Sequence, residues 1–136
     1  MSTVRTGLGV GILLGIVLSA LLWIAAQPVH AQIVDECQTD IAALRAQTSS
    51  TSFIGQNAAK DQAGLVGKLD SASAKLSQGK FQDALANLQS FRTKVVALEQ
   101  QGKISPTDAS VLIASADEAI SCVQGLIEAQ AAPTAT

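Results

Sequence analysis

From Phe81 to Leu98 the apolar residues Phe81, Ala84, Leu85, Leu88, Phe91, Val95 and Leu98 recur at three- and four-residue spacings, with Leu85 beside Ala84. That spacing places them on one side of an α-helix, and a β-strand, whose side chains alternate in twos, cannot gather them. The same rhythm recurs through most of the chain. In 33–47 it falls on Val34, Cys37, Ile41 and Leu44, with Asp35, Glu36 and Asp40 in the first turns, where the helix dipole favours acids. A second helix, from Asn57 or Ala58 to Gln78, has Leu65, Leu69, Ala72 and Leu76 as its inner face. Gly64 and Gly67 inside it cost about 1 kcal/mol each relative to alanine. The third helix spans about 80–101. The fourth presents Ala109, Leu112, Ile113, Ala116, Ile120, Val123 and Ile127 and fades near Ala129. No segment alternates apolar and polar residues as a half-buried strand does. The expected fold is therefore all-α: a small up-down helical bundle of three long helices plus a short N-terminal helix, without a sheet.

Punctuation supports these limits. Gly79 and Gly102 sit where a helix C-terminus favours a left-handed residue. The run Thr48-Ser49-Ser50-Thr51-Ser52 offers five hydroxyl residues that compete with the backbone for hydrogen bonds, and it reads as a loop followed by Phe53 and Ile54 tucked onto the core. Ser105-Pro106-Thr107-Asp108 is a start signal. Ser105 caps, Pro106 occupies the first turn where its missing N–H is harmless, and Asp108 reaches back as a capping-box acid.

The first 31 residues follow a different logic. Arg5 precedes a run over 7–26 in which Ser19 is the only polar side chain, and Gln27-Pro28 ends it. This order of charge, apolar stretch and polar end is that of an export signal. Val29 and Ala31 at the −3 and −1 positions place a cut between Ala31 and Gln32, with Pro28 keeping the chain extended there. The alternative is a retained anchor, because a 20-residue apolar helix spans about 30 Å, the thickness of a bilayer core. Gly7, Gly11 and Gly15 also form the small-residue stripe that lets membrane helices approach closely. On either reading 32–130 form one domain outside the cytoplasm, 131–136 form a disordered tail, and contact with a membrane is limited to 7–26. Two cysteines in an oxidising compartment read first as one disulfide, Cys37 to Cys122, tying the first helix to the last. Two buried free thiols are the alternative.

Composition limits function. After residue 31 there is no His, Tyr or Trp, and 8 Lys plus Arg face 11 Asp plus Glu. A net charge of −3 gives no basic surface for nucleic acid. Acid–base chemistry would fall to Asp35, Glu36, Asp40, Asp117 and Glu118, which lie in helix turns and read as solvated surface. No phosphate-binding glycine loop, calcium loop or zinc spacing is present, so no catalytic residue, cofactor or metal is expected. Carbohydrate recognition favours exposed aromatics, and the domain has only Phe53, Phe81 and Phe91, the last two on a core face. Lys68, Lys75, Lys80, Lys94 and Lys103 are the cations available to an anionic cell-wall polymer.

Gly64-Leu65, Lys68-Leu69, Leu76, Gly79-Lys80, Ala84, Leu88, Phe91 and Val95, followed by Gly102-Lys103-Ile104-Ser105, Asp108-Ala109, Leu112-Ile113 and Ala116, resemble a FIMAH domain. This helical module is named for its presence in many actinobacterial hydrolases, and the resemblance spans about 64–123. The two Gly-Lys turns with Phe between them are its most specific part. The resemblance implies a small non-catalytic bundle, usually appended to secreted enzymes; the two cysteines are not part of its pattern. The expected role is binding or structure at the cell surface or in the medium, with a cell-wall polymer or another secreted protein as partner. The alternative is a carrier that opens its core to a small apolar ligand.

Overall fold

The structure, a computed structural model, describes residues 29–131. Four helices occupy them: α1, Val29–Ser50; α2, Ala58–Ser77; α3, Phe81–Gln100; and α4, Pro106–Ala131. No strand occurs among the described residues, and the fold is the expected all-α bundle. Residues from Ile33 onward form one compact unit. The apolar run 7–26 and the tail beyond Ala131 lie outside the described residues.

Side-chain pairs fix the helix order and direction. Gln38 reaches Ser73 and Ser77, Arg45 pairs with Asp70, and Gln62 bonds the carbonyls of Thr48 and Ser49, so ascending α1 means descending α2. Lys68 donates to Ser90 and Lys94 pairs with Asp61, which makes α2 and α3 antiparallel. Arg92 meets Asp117 across α3 and α4, and Cys37 joins α1 to α4. Each helix thus neighbours the next in sequence, and the fourth closes on the first, the arrangement of an up-down bundle.

The core follows the apolar stripes closely. Leu65, Leu69, Ala72 and Leu76 of α2 are buried as their spacing requires, as are Phe81, Ala84, Leu88, Phe91, Val95 and Leu98 of α3. Alanines at buried seam positions let the helix backbones approach, while Leu and Phe fill the space between them.

Four local features depart from the sequence expectation. First, α1 is longer at both ends than 33–47 and has 22 residues. The hydroxyl run does not begin a loop at Thr48. Thr48 Oγ1 donates to the Leu44 carbonyl at 2.8 Å and Ser49 Oγ to the Arg45 carbonyl at 3.0 Å, so these hydroxyls find partners within the helix instead of ending it. Thr48 also falls at the next inward position and is fully buried. Second, Phe53 packs against the core, but Ile54 is 60% exposed. The Ile54 backbone N–H donates to the Lys103 carbonyl at 2.8 Å, which holds the loop without burying the side chain. Third, α4 runs to Ala131, two residues past the expected fade near Ala129. Fourth, α4 is rolled. Its buried residues are Ala109, Leu112, Ala116, Ala119, Val123 and Leu126, whereas Ile113, Ile120 and Ile127 are only partly buried.

Both helix-ending glycines behave as expected. Gly79 has φ +73 and Gly102 φ +70. After α2, Gly79 N–H donates to the Leu76 carbonyl and Lys80 N–H to the Lys75 carbonyl; after α3, Gly102 donates to Glu99 and Lys103 to Leu98. These paired bonds are the Schellman closure of a helix C-terminus. A methyl group at Gly79 or Gly102 would meet no atom within 4 Å, so replacement by alanine costs only the left-handed backbone strain. We expect Gly79→Ala and Gly102→Ala each to destabilise by about 1–2 kcal/mol. Gly64→Ala and Gly67→Ala, at open helical positions, should stabilise by about 0.5–1 kcal/mol each. Urea unfolding of the four variants checks the opposite signs.

Candidate functional site

Two built features stand out: the α1–α4 seam with its disulfide, and the capped turn that opens α4. Cys37 lies on the inner stripe of α1 with Ile41 and Leu44 and has no exposed surface. Cys122 lies at the edge of the α4 stripe and is partly buried. The two are bonded, with Cα atoms 5.6 Å apart. The expected pairing is therefore present, and neither sulfur is available as a nucleophile or metal ligand.

At the start of α4, Ser105 Oγ accepts the Asp108 N–H at 3.1 Å and donates to Asp108 Oδ2 at 2.9 Å. The cap is as expected, but its return half differs. The Asp108 carboxylate accepts a hydrogen bond from the Ser105 hydroxyl, since aspartate, one methylene shorter than the glutamate of a capping box, meets the side chain rather than the Ser105 backbone. Pro106 is the first residue of α4. Ser105→Ala removes both bonds and is expected to cost about 1 kcal/mol by urea unfolding. Asp108→Asn, which keeps the N–H bond, should cost less.

Ala31 and Gln32, which flank the expected cut, are exposed in the first turn of α1, so the stretch read as extended is helical in the uncut chain.

Lys68, Lys94 and Lys103 all make their contacts along the α2–α3 side of the bundle. Lys94 and Lys103 both approach Asp61, at 3.8 and 3.3 Å, and Lys68 donates to Ser90 at 2.9 Å. Asp61 is 12% exposed, which makes it the anchor of the loop end of the bundle. The exposed pairs Arg45–Asp70 and Arg92–Asp117, both at 2.7 Å, each contribute at most about 1 kcal/mol. Phe81 and Phe91 are buried and Phe53 packs against the core, so all three phenylalanines serve packing. Among the described residues no group of three or more His, Cys, Asp or Glu side chains could hold a metal ion.

Several polar contacts had no signature in the sequence. Gln38 and Ser73 exchange two hydrogen bonds across α1 and α2, at 2.9 and 2.6 Å. Gln62 Nε2 covers the C-terminal carbonyls of α1 from a neighbouring helix. A glutamine on a helix surface looks the same in sequence whether it faces water or a partner.

The class defined by this geometry is a disulfide-closed, all-α four-helix bundle. Comparison of the chain with family models, curated proteins and solved structures finds no match in any of the three. The Gly-Lys pairs that carry the FIMAH resemblance are the two helix-terminating turns, so their spacing records the length of α3 and its caps.

Proposed function

We propose that the domain is a non-catalytic module, exported from the cytoplasm, that acts by binding or by structure at the cell surface or in the medium. The observation that carries this reading is the disulfide between Cys37 and Cys122, because a bond of this kind persists in an oxidising compartment. The charged side chains support it. Arg45, Arg92 and Lys94 are engaged by Asp70, Asp117 and Asp61 across helices, and Lys103 reaches Asp61 from the loop after α3, which is a structural use of these charges. α4 is long and apolar enough to cross a membrane by length and composition. Leu112, Val123 and Leu126 are buried in the bundle, whereas Ile113, Ile120 and Ile127 are partly buried and Val111 is half exposed. The FIMAH resemblance agrees with a non-catalytic role and is part of the proposal.

The test has two parts. Intact masses of the protein from the medium and the membrane fraction of its exporting host decide the first: a soluble species beginning at Gln32 supports secretion, and a full-length membrane species supports an anchored ectodomain. A full-length species confined to the cytoplasm would overturn export. Cosedimentation with isolated cell wall then supports the surface module, with another secreted protein as the partner class if the wall is not bound. A lipid that copurifies at stoichiometric amount would instead favour an apolar-ligand carrier.

A further inference from the structure

The ion pairs Arg45–Asp70 and Arg92–Asp117 have the same contact atoms and the same 2.7 Å distance, and they stand 47 positions apart (92 − 45). The same offset relates the inner positions of the helices, while at the loop end buried Leu98 and Ile104 fall opposite the more exposed Thr51 and Asn57. Adding it to the buried residues Cys37, Ile41, Leu44 and Thr48 of α1 gives Ala84, Leu88, Phe91 and Val95 of α3, every one buried. Adding it to Leu65, Leu69, Ala72 and Leu76 of α2 gives Leu112, Ala116, Ala119 and Val123 of α4, again all buried. Beyond the Arg and Asp pairs, the same residue recurs at Gly55 and Gly102, Asp61 and Asp108, Leu65 and Leu112, and Ala72 and Ala119. Gly55 and Gly102 are both in the left-handed region, with φ +107 and +70.

Any up-down bundle places two hairpins side by side, but it does not require a shared burial register of the inner helix positions and a repeated ion pair at one offset. We propose that the domain is a single helix hairpin present twice, α1–α2 and α3–α4, packed on itself about an approximate two-fold axis. It is, in effect, a hairpin dimer fused into one chain. The symmetry gives the disulfide its meaning. The two seams between hairpins, α2–α3 and α4–α1, are equivalent. Gly79 closes the first through the backbone, and the Cys37–Cys122 bond closes the second, which the chain leaves open. The two-fold partner of Cys37 is Ala84 and that of Cys122 is Lys75. Their burial agrees: Cys37 and Ala84 are both fully buried, and Cys122 and Lys75 are both partly so. Lys75 and Ala84 therefore mark a latent disulfide position in the α2–α3 seam.

The test is the double substitution Lys75→Cys with Ala84→Cys in the otherwise native chain. The folded protein is exposed to oxidised glutathione, which takes the two electrons and two protons of each new bond and leaves as two reduced molecules. The expected product lies about 4 Da below the fully reduced chain, with the introduced thiols joined to each other and Cys37 still bonded to Cys122 in a peptide map. A control with Lys75→Cys and Gln82→Cys, whose second site is an exposed α3 position, should show no bond between 75 and 82, each thiol being free or capped by one glutathione with release of one reduced glutathione. Introduced thiols that remain free at 75 and 84 in the folded protein would overturn the proposal. Should that variant not fold, an experimental structure of the native chain decides: 33–78 should superpose on 80–125 without a gap through a rotation near a half-turn. A different rotation, or a register shift, would overturn it equally.

Discussion

Replacing both cysteines, as Cys37→Ala with Cys122→Ala, is expected to lower the unfolding free energy by about 4 kcal/mol and the melting temperature by roughly 15 °C or more. The bond closes a loop of 86 residues (122 − 37 + 1), most of the ordered domain. Holding such distant positions together removes about 4–5 kcal/mol of chain entropy from the unfolded state, an upper figure from which native strain subtracts. Domains of this size retain about 5–15 kcal/mol in all, so the bond is a large share. Thermal melts followed by circular dichroism, without reductant for the variant and with reductant for the native chain, should give similar midpoints. A fall of only a few degrees would show that α1 and α4 are held almost wholly by packing.

The second large effect is expected at Phe91, the largest of the fully buried side chains. Phe91→Ala should cost about 3–5 kcal/mol, the removed ring's transfer free energy together with the cavity it leaves among packed neighbours. Phe91 sits midway along α3, which packs against both α2 and α4, so collapse around the void would have to move two interfaces at once. Urea unfolding should show a lower midpoint with an unchanged slope. Leu85→Ala, on the same helix but only partly buried, serves as the comparison and should cost clearly less. Equal losses at the two positions would contradict the observed centre of the core.

The roll of α4 shows how far the sequence could be read. Spacing alone allowed two neighbouring stripes, one through Ala119 and Leu126 and one through Ile120 and Ile127. Isoleucine is the more apolar choice, yet the structure buries Ala119 and Leu126 fully and leaves both isoleucines at the flank. The deciding signal was present in Cys122. It lies three residues after Ala119 and four before Leu126, on the opposite flank from the isoleucines, so a bond to the buried Cys37 turns that side inward. Combining the disulfide with the helical spacing gives the observed roll.

The four helices, the inner faces of α2 and α3, the glycine-ended turns and the Ser105 cap were all determined by the sequence. Each depends on residues a few positions apart, where helical geometry, backbone sterics and a single hydrogen bond set the outcome. The end of α1, the exposure of Ile54, the two lysines on Asp61 and the Gln38–Ser73 exchange were decided only by the tertiary structure. These depend on which surfaces meet. A hydroxyl run such as Thr48–Ser50 can break a helix or finish one, and the outcome turned on the buried position waiting for Thr48 and on Gln62 arriving from α2 to take the free carbonyls.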